Sequence, residues 1–327
     1  RTGFLDFSTA ALRERACLRE VQLNRRLAPE AYLGVAHVPG PDGAPEPAVV
    51  MRRLPAGSSL EVLARSGADL RGPLDVLARE LASFHAGAAR SASIDRAGAP
   101  TAVRRAWTVN AAQLRDALPA GVDPEAVTEL DSAATRFLAG RSALLRSRVA
   151  AGRVCDGHGD LLASDVFLPP LASPQVLDCL EFDDRLRYGD VLSDVAFLAM
   201  DLERCGRPEA AEAFLASYRW VSGDDWPRSL EDFYVAARAL IRAKVVGLRW
   251  QQGDVASLSL VRAHLEIARR HLRRGHGGDR RVAALRRVGR GFIRQGIQGR
   301  FGRLQIHASL PLAANKEAAP RFVQHRA

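Results

Sequence analysis

The sequence has few cysteines, and no two of them form a paired motif. Cys17, Cys155, Cys179 and Cys205 are far apart and give no C-x-x-C spacing, so zinc binding or dithiol redox chemistry of that type is not indicated. No apolar run approaches the roughly 20 residues of a membrane helix, and no signal peptide opens the chain. We therefore predict a cytoplasmic protein with reduced thiols and no membrane contact.

Lysine is almost absent. Lys244 and Lys316 are the two lysines, and the other 45 basic residues are arginine. The P-loop motif G-x-x-x-x-G-K-[ST] does not occur in the sequence. Any chemistry that requires an amine is thus restricted to two positions late in the chain.

The net charge of +10 is not spread evenly. Residues 261–327 carry 16 basic and 3 acidic residues, a local charge of +13, which leaves −3 for residues 1–260. An arginine-rich segment can bind nucleic acid by neutralising phosphates. However, Phe292 and Phe301 give it no regular aromatic interleaving, so a solvated tail fits better. We predict no nucleic-acid binding except through this tail.

Helical periodicity dominates the chain, with a minority of β-leaning runs. The spacing of apolar residues predicts helices over 9–27, 59–65, 73–89, 111–117, 124–149, 191–205, 208–222, 229–253 and 255–274. Two runs, 32–38 and 48–54, flank turn residues and predict a hairpin, and shorter strands are predicted at 165–168 and 176–182. With 47% hydrophobic residues, the chain can bury a full core. The pattern indicates an α+β fold.

Three carboxylates make the window from residue 158 to 178 the most informative one. Asp160 follows His158-Gly159, Asp165 lies in the same loop, and Asp178 lies on the second strand of the predicted hairpin. A lone acidic residue in a loop is usually a turn former or a cap. Phosphoryl transfer, however, requires one carboxylate to orient the attacking hydroxyl, and others to hold magnesium on the phosphates. The three together favour that chemistry.

Several ordered motifs carry a resemblance to a known family. They are Gly3-Phe4-Leu5-Asp6-Phe7-Ser8-Thr9, Leu23-Asn24-Arg25-Arg26-Leu27-Ala28-Pro29, His158-Gly159-Asp160, Val176-Leu177-Asp178-Cys179-Leu180-Glu181-Phe182, Tyr188-Gly189-Asp190-Val191-Leu192-Ser193-Asp194-Val195-Ala196-Phe197 and Ala239-Leu240-Ile241-Arg242-Ala243-Lys244. With them, the chain from Phe4 to about Trp250 resembles the aminoglycoside phosphotransferase-like kinases. It is most similar to the kinase-like half of bacterial proteins that fuse this domain to a P-loop ATPase.

The resemblance implies a protein kinase-like fold with an incomplete N-terminal small lobe and a mainly helical C-terminal lobe. Residues 1–57 would form the partial small lobe and hinge, and residues 58–274 the helical catalytic lobe. Residues 275–327 would form a basic, Gly/Arg-rich tail. ATP and Mg²⁺ would be the cofactors, and a small molecule would supply the acceptor hydroxyl.

The resemblance also implies roles on the catalytic side of the site. Asp160 would be the catalytic base, and Asp178 would be a magnesium ligand. Asp165 stands where the family usually has a magnesium-binding asparagine, so it would be the second ligand with an added negative charge. Asp194 would brace the catalytic loop.

On the nucleotide side, Glu20 would match the glutamate that pairs with the ATP-binding lysine. Met51, Arg52 and Leu54 would belong to the hinge strand, whose backbone meets adenine. The sequence departs from the family here, because no lysine precedes Lys244 and no glycine-rich loop precedes Glu20. The expected function is an ATP-dependent phosphotransferase-like domain. The alternatives are a catalytically impaired pseudokinase or interaction module, and a basic-tailed nucleic-acid binder.

Two groups of residues near the end of the helical part, one basic and one of histidines, could also have a structural role. Arg238, Arg242 and Lys244 would form either an exposed basic face or a contact with an anionic substrate or a neighbouring domain. His264 and His271, with His276, have spacings that fit no zinc pattern, so we predict no metal there.

Overall fold

The computed structural model describes residues 7–40, 43–170, 172–254 and 257–293, with side chains described up to residue 275. Helices account for most of this part of the chain, and the strands are short, in agreement with an α+β fold. The helices and strands are α1 (Ala10–Asn24), β1 (Tyr32–Pro39), β2 (Pro45–Met51), α2 (Leu60–Arg65), α3 (Arg71–Gly87), α4 (Ala92–Asp95), α5 (Pro100–Asp116), α6 (Glu125–Ala139), α7 (Ser142–Ala150), β3 (Val154–Asp156), β4 (Val166–Phe167), β5 (Gln175–Val176), β6 (Tyr188–Asp190), α8 (Val191–Arg204), α9 (Pro208–Ser222), α10 (Arg228–Gln251) and α11 (Ser257–Ile293).

The N-terminal part consists of helix α1 packed on the β1–β2 hairpin. The side chain of Thr9 caps α1 by accepting a hydrogen bond from the Leu12 amide at 3.2 Å. The hairpin is antiparallel and pairs Val35 with Val49. A small apolar core joins the helix to the hairpin; its buried members are Val21, Ala28, Ala31 and Tyr32. This core fixes α1, the helix that bears Glu20, on the hairpin.

Helices α3, α8, α9 and α10 form the centre of the larger core. Leu74, Leu77 and Leu81 lie at helical spacing on the buried face of α3, as the sequence predicts. Helix α8 is buried over most of its length, because other helices cover it on several sides. Its two buried carboxylates, Asp194 and Asp201, must therefore have partners inside the protein.

Two of the short strand pairs place the site. Strand β3 pairs antiparallel with β6, and β4 pairs antiparallel with β5. The predicted strand at 176–182 is wrong beyond Val176, because Asp178 takes a left-handed backbone conformation with φ of 62°. Aspartate tolerates that conformation better than most residues do.

Some helix boundaries also differ from the predicted ones. The helix predicted over 124–149 is two helices, since Gly140 and Arg141 lie outside helical geometry. The helix predicted over 111–117 begins earlier, at Pro100, a residue that suits a first helical turn. Helix α11 continues past Gly275 to Ile293. The rest of the predicted basic tail lies outside the described residues. Among the described residues, no helix has both the length and the apolar content needed to cross a membrane.

Candidate active site

The loop that carries Asp160 is held by one buried carboxylate. The loop follows β3. The Asp194 side chain, in the first turn of α8, accepts hydrogen bonds from the His158 amide at 2.8 Å and the Gly159 amide at 2.9 Å. A Cβ atom at Gly157 would lie 2.7 Å from an Asp194 oxygen, so glycine is required for this close approach. These contacts confirm that Asp194 braces the loop.

His85 also binds the Asp194 carboxylate, through the same oxygen as the His158 amide. Its Nε2 lies 3.1 Å from Asp194, and its Nδ1 lies 2.8 Å from the Tyr218 hydroxyl. Burial alone would raise the pKa of Asp194, but the hydrogen bond and charge of His85 lower this pKa well below its ordinary value. Asp194 therefore stays ionised and keeps its hold on the loop.

Two arginines of α10 face the same loop. Arg242 lies 3.6 Å from the Asp160 carboxylate, and Arg238 donates to the Gly159 carbonyl at 3.3 Å. The interpretation of these two residues as an exposed basic face is therefore wrong. Burial raises the pKa of Asp160, while the charges of Arg242 and His158 offset part of that rise. A carboxylate with a raised pKa next to a cation suits proton transfer.

The β4–β5 hairpin brings the other two predicted carboxylates to this loop. The Leu177 amide donates to the Asp165 carbonyl at 2.8 Å, and Asp178 follows directly. The His158 ring Nε2 lies 2.9 Å from the Leu177 carbonyl, to which it donates. The imidazole thus links the backbone before Asp160 to the backbone before Asp178. Its role is structural.

Asp165 and Glu20 both have a raised pKa. Burial, and then the charges of Asp178 and Asp160, raise the pKa of Asp165 to about 7 despite a hydrogen bond from Ser164. Burial and the charges of Glu181 and Asp178 raise the pKa of Glu20. Such mutual repulsion favours a bound cation.

The donor set limits which metal would fit. Among the described residues, no group of three or more histidine, cysteine, aspartate or glutamate side chains is arranged to hold a metal ion. Magnesium needs fewer protein ligands, because one or two carboxylates commonly bind it together with phosphates and water. Asp165 and Asp178 therefore fit an ion that takes its remaining ligands from a nucleotide.

The predicted nucleotide side is less complete. No ion pair to Glu20 is found among the described residues, and its carboxylate faces the acidic groups Asp178 and Glu181. In the predicted hinge segment, Met51 and Arg52 are exposed, and the Arg52 amide donates to the Ala31 carbonyl at 2.8 Å.

Leu54, the last residue of the predicted hinge segment, is partly buried, unlike Met51 and Arg52. Leu54 packs on the small core that also includes Leu177, the neighbour of Asp178. The predicted hinge segment and the segment of Asp178 thus share one small core.

The last residue of α1, Asn24, and two residues that follow the helix connect the N-terminal part to the site. The Asn24 side chain accepts a hydrogen bond from the Cys179 amide at 2.8 Å, and the Tyr32 hydroxyl is hydrogen-bonded to the backbone of Asp178. Arg26 donates to the carbonyls of Asp156 at 3.1 Å and Gly157 at 2.9 Å.

The sequence alone does not indicate a role for these residues or for His85. Asn24 and Arg26 lie in the quoted motif of residues 23–29. For His85, the signal in the sequence is a polar residue directly after Phe84 in a helix with an apolar face.

Comparisons with known proteins indicate the family of the chain. The model of the phosphotransferase enzyme family matches residues 3–231. The chain is also similar to uncharacterized proteins of Mycobacterium tuberculosis and Mycobacterium bovis, with 46% identity over 272 residues, which is 83% of this chain and 54% of each relative. The chain thus spans about half the length of the curated relatives it matches. With most of its length matched by the family model, the chain belongs to the phosphotransferase enzyme family, within the kinase-like superfamily.

Proposed function

We propose that the chain is the kinase-like part of an ATP- and magnesium-dependent phosphotransferase that acts on a hydroxyl of a small molecule. Family membership supports phosphoryl transfer as the reaction class. The observation that carries the proposal is the assembly around Asp160: two amides before it are bound by buried Asp194, and His158 joins its loop to the hairpin of Asp165 and Asp178. Phosphoryl transfer depends mainly on such positioning.

In this proposal Asp160 orients the acceptor hydroxyl and takes its proton. The side chain is 22% exposed, so an acceptor can reach it from solvent. Arg242 at 3.6 Å favours the ionised form, which is the form that accepts a proton. Arg238 holds the Gly159 carbonyl and so limits movement of the residue directly before the base.

Asp165 and Asp178 would hold the magnesium ion, and the ion would offset the negative charge of the transferred phosphate. Glu20 would lie on the nucleotide side, and the backbone of Met51, Arg52 and Leu54 would meet the base. A cytoplasmic location belongs to the same proposal. The fusion to a P-loop ATPase that the resemblance implies is also part of the proposal. The curated relatives are long enough to contain such a second domain, because the match covers 54% of their length.

One observation favours a second candidate, a catalytically impaired pseudokinase or interaction module. Glu20 faces acidic groups and has no ion pair among the described residues. The sequence offers no lysine before Lys244 to bind it. Loss of one preorganised cation would weaken transition-state stabilisation by about 2–4 kcal/mol.

A calorimetric titration with ATP, in the presence and absence of magnesium, separates the two candidates. For the proposed enzyme, magnesium strengthens ATP binding. Asp178→Asn should make the ATP affinity in the presence of magnesium about tenfold weaker. Asparagine keeps the left-handed backbone accessible and removes the charge. Asp116→Asn, at an exposed position of α5, is the matched control and should leave the gain intact. If the unaltered chain binds no ATP at millimolar concentration, the enzyme proposal fails and the second candidate remains.

A further inference from the structure

A cavity of about 210 Å³ lies beside the catalytic loop, between α5, α10 and the segment that leads into α8. Two residues of its wall also contact Gly159, the neighbour of Asp160. Arg238 donates to the Gly159 carbonyl at 3.3 Å. The Leu186 carbonyl oxygen lies so near that a Cβ atom at Gly159 would be 3.1 Å from it. The cavity and the loop of the candidate base therefore share a wall.

One side of this cavity is formed by fixed aromatic rings. The ring centroids of Trp107 and Phe233 are 5.8 Å apart, and those of Phe233 and Tyr234 are 5.5 Å apart. All three side chains are almost fully buried, and the Trp107 indole donates to Asp131 at 3.0 Å. A preformed aromatic wall of this kind binds flat apolar groups at little conformational cost.

The volume restricts the size of the ligand. Pockets for drug-sized ligands usually measure about 300–1,000 Å³, and this cavity is smaller. It would hold one ring, or two fused rings, with small substituents. A multi-ring oligosaccharide would not be enclosed.

The charges around the cavity select against cations. Its wall carboxylate, Asp190, binds Arg148 through both oxygens, at 2.6 and 2.8 Å. Lys244 donates to the wall residue Asn110 at 2.7 Å and to Gln113 at 3.1 Å, and both of these acceptors are neutral amide oxygens. An ammonium with neutral partners stands near the wall, whereas the carboxylate there is already neutralised.

We propose that this cavity binds the acceptor, and that the acceptor is a compact hydroxylated aromatic compound, neutral or anionic, and not a polycationic aminoglycoside. The role of the ligand as an acceptor rests on the proposed function, but the binding of the ligand in the cavity does not. In the transfer, the hydroxyl oxygen bonds to the terminal phosphorus of a nucleoside triphosphate, the bond from that phosphorus to the diphosphate breaks, and the hydroxyl proton passes to Asp160.

Three probes with the same ring and hydroxyl, but different charge, test the ligand class. They are para-ethylphenol, which is neutral, para-hydroxyphenylpropanoate, which is anionic, and tyramine, which is cationic. Saturation-transfer NMR on the full chain, without nucleotide, gives their relative affinities. We expect the neutral and anionic probes to bind, and tyramine to bind about tenfold more weakly than the anionic probe. Binding of none of the three, or a preference for tyramine, overturns the proposal.

Matched variants locate the bound ring. Ala237 lines the cavity, so Ala237→Leu should abolish probe binding, whereas the same change at exposed Ala213 of α9 should leave it intact. Equal effects of the two leucines would place the ring elsewhere and refute the site.

Lys244→Met tests the charge without filling the cavity, so its result does not depend on whether Ala237→Leu folds. It should remove the preference for the anionic probe and leave the affinity of the neutral probe unchanged. A preference that persists in this variant refutes the role of Lys244 in selecting the ligand. Probe binding by a chain that binds no ATP would sustain the cavity as a binding site while the proposed enzyme fails. The reverse result would refute the cavity alone.

Discussion

Replacing Asp194 with asparagine should lower the free energy of unfolding by about 3–5 kcal/mol, the range for breaking a buried charged pair. Asp194 accepts from two backbone amides at 2.8 and 2.9 Å and lies 3.1 Å from His85. Hydrogen bonds to a charged group contribute about 1.5–3 kcal/mol each. Asparagine keeps one neutral oxygen and turns its amide nitrogen toward a donor, so at least one buried amide loses its acceptor.

The pH dependence of this loss has a defined sign. The pKa of Asp194 lies well below its ordinary value in the folded protein, chiefly because of the hydrogen bond and charge of His85 acting against burial. Its contribution to stability is therefore fully present above the unfolded pKa and is lost as the pH falls through the folded pKa. The difference between the unaltered chain and the variant should therefore shrink in acid.

Urea unfolding, followed by tryptophan fluorescence, measures this difference, with Asp116→Asn as the exposed control expected within about 0.5 kcal/mol of the unaltered chain. Amide hydrogen exchange at His158 and Gly159 should also accelerate in Asp194→Asn. A variant as stable as the control, with unchanged exchange, would show that the carboxylate does not hold the loop.

Two other positions give predictions of defined sign. Both ring nitrogens of buried His271 donate to carboxylates, Asp232 at 2.7 Å and Glu203 at 2.9 Å; although burial opposes it, these hydrogen bonds raise the pKa of His271. The stabilisation by His271 is therefore fully present below its unfolded-state pKa and is lost as the pH rises through its folded-state pKa. His271→Gln should lower the free energy of unfolding by about 3 kcal/mol near pH 6 and by less near pH 9, as measured by urea unfolding. Equal losses at both pH values would contradict a buried imidazolium. In Gly247→Ala the new Cβ would lie 2.5 Å from the Ala117 carbonyl oxygen, whereas nothing lies within 4 Å of a Cβ at Gly87, the last residue of α3. The first change should destabilise by about 1–3 kcal/mol and the second stabilise by about 0.5–1 kcal/mol in thermal unfolding, and shifts of the same sign would refute the packing argument.

Local patterns predicted the long helices and the N-terminal hairpin, because a buried helical face repeats every three or four residues whatever it packs against. The boundary at Gly140 and the end of β5 were missed, since each depends on one residue's backbone conformation. Left-handed Asp178 is stabilised by Tyr32, which is 146 positions earlier in the chain. No window of neighbouring residues contains that information.

The candidate site was predictable in its carboxylates but not in their support. Asp160, Asp165 and Asp178 stand close in sequence, and the hairpin between them brings them together. Their functional roles remain predictions. The partners of Asp194 and Asp160, by contrast, come from α3 and α10, and arginines on α10 look like any solvated basic face until the fold turns them inward. Pairing over such distances is set by tertiary packing.

The hydrogen bonds at the end of α1 have a consequence for how the site would assemble. Asn24 and Tyr32 bind the backbone of the adjacent residues Cys179 and Asp178, and Arg26 binds the backbone of residues 156–157. Because α1 also bears Glu20, a displacement of α1 would be transmitted through these hydrogen bonds to the loop of Asp160 and to the segment of Asp178. A contact that moves this helix would therefore act on Asp160 and Asp178, two carboxylates that α1 itself does not bear.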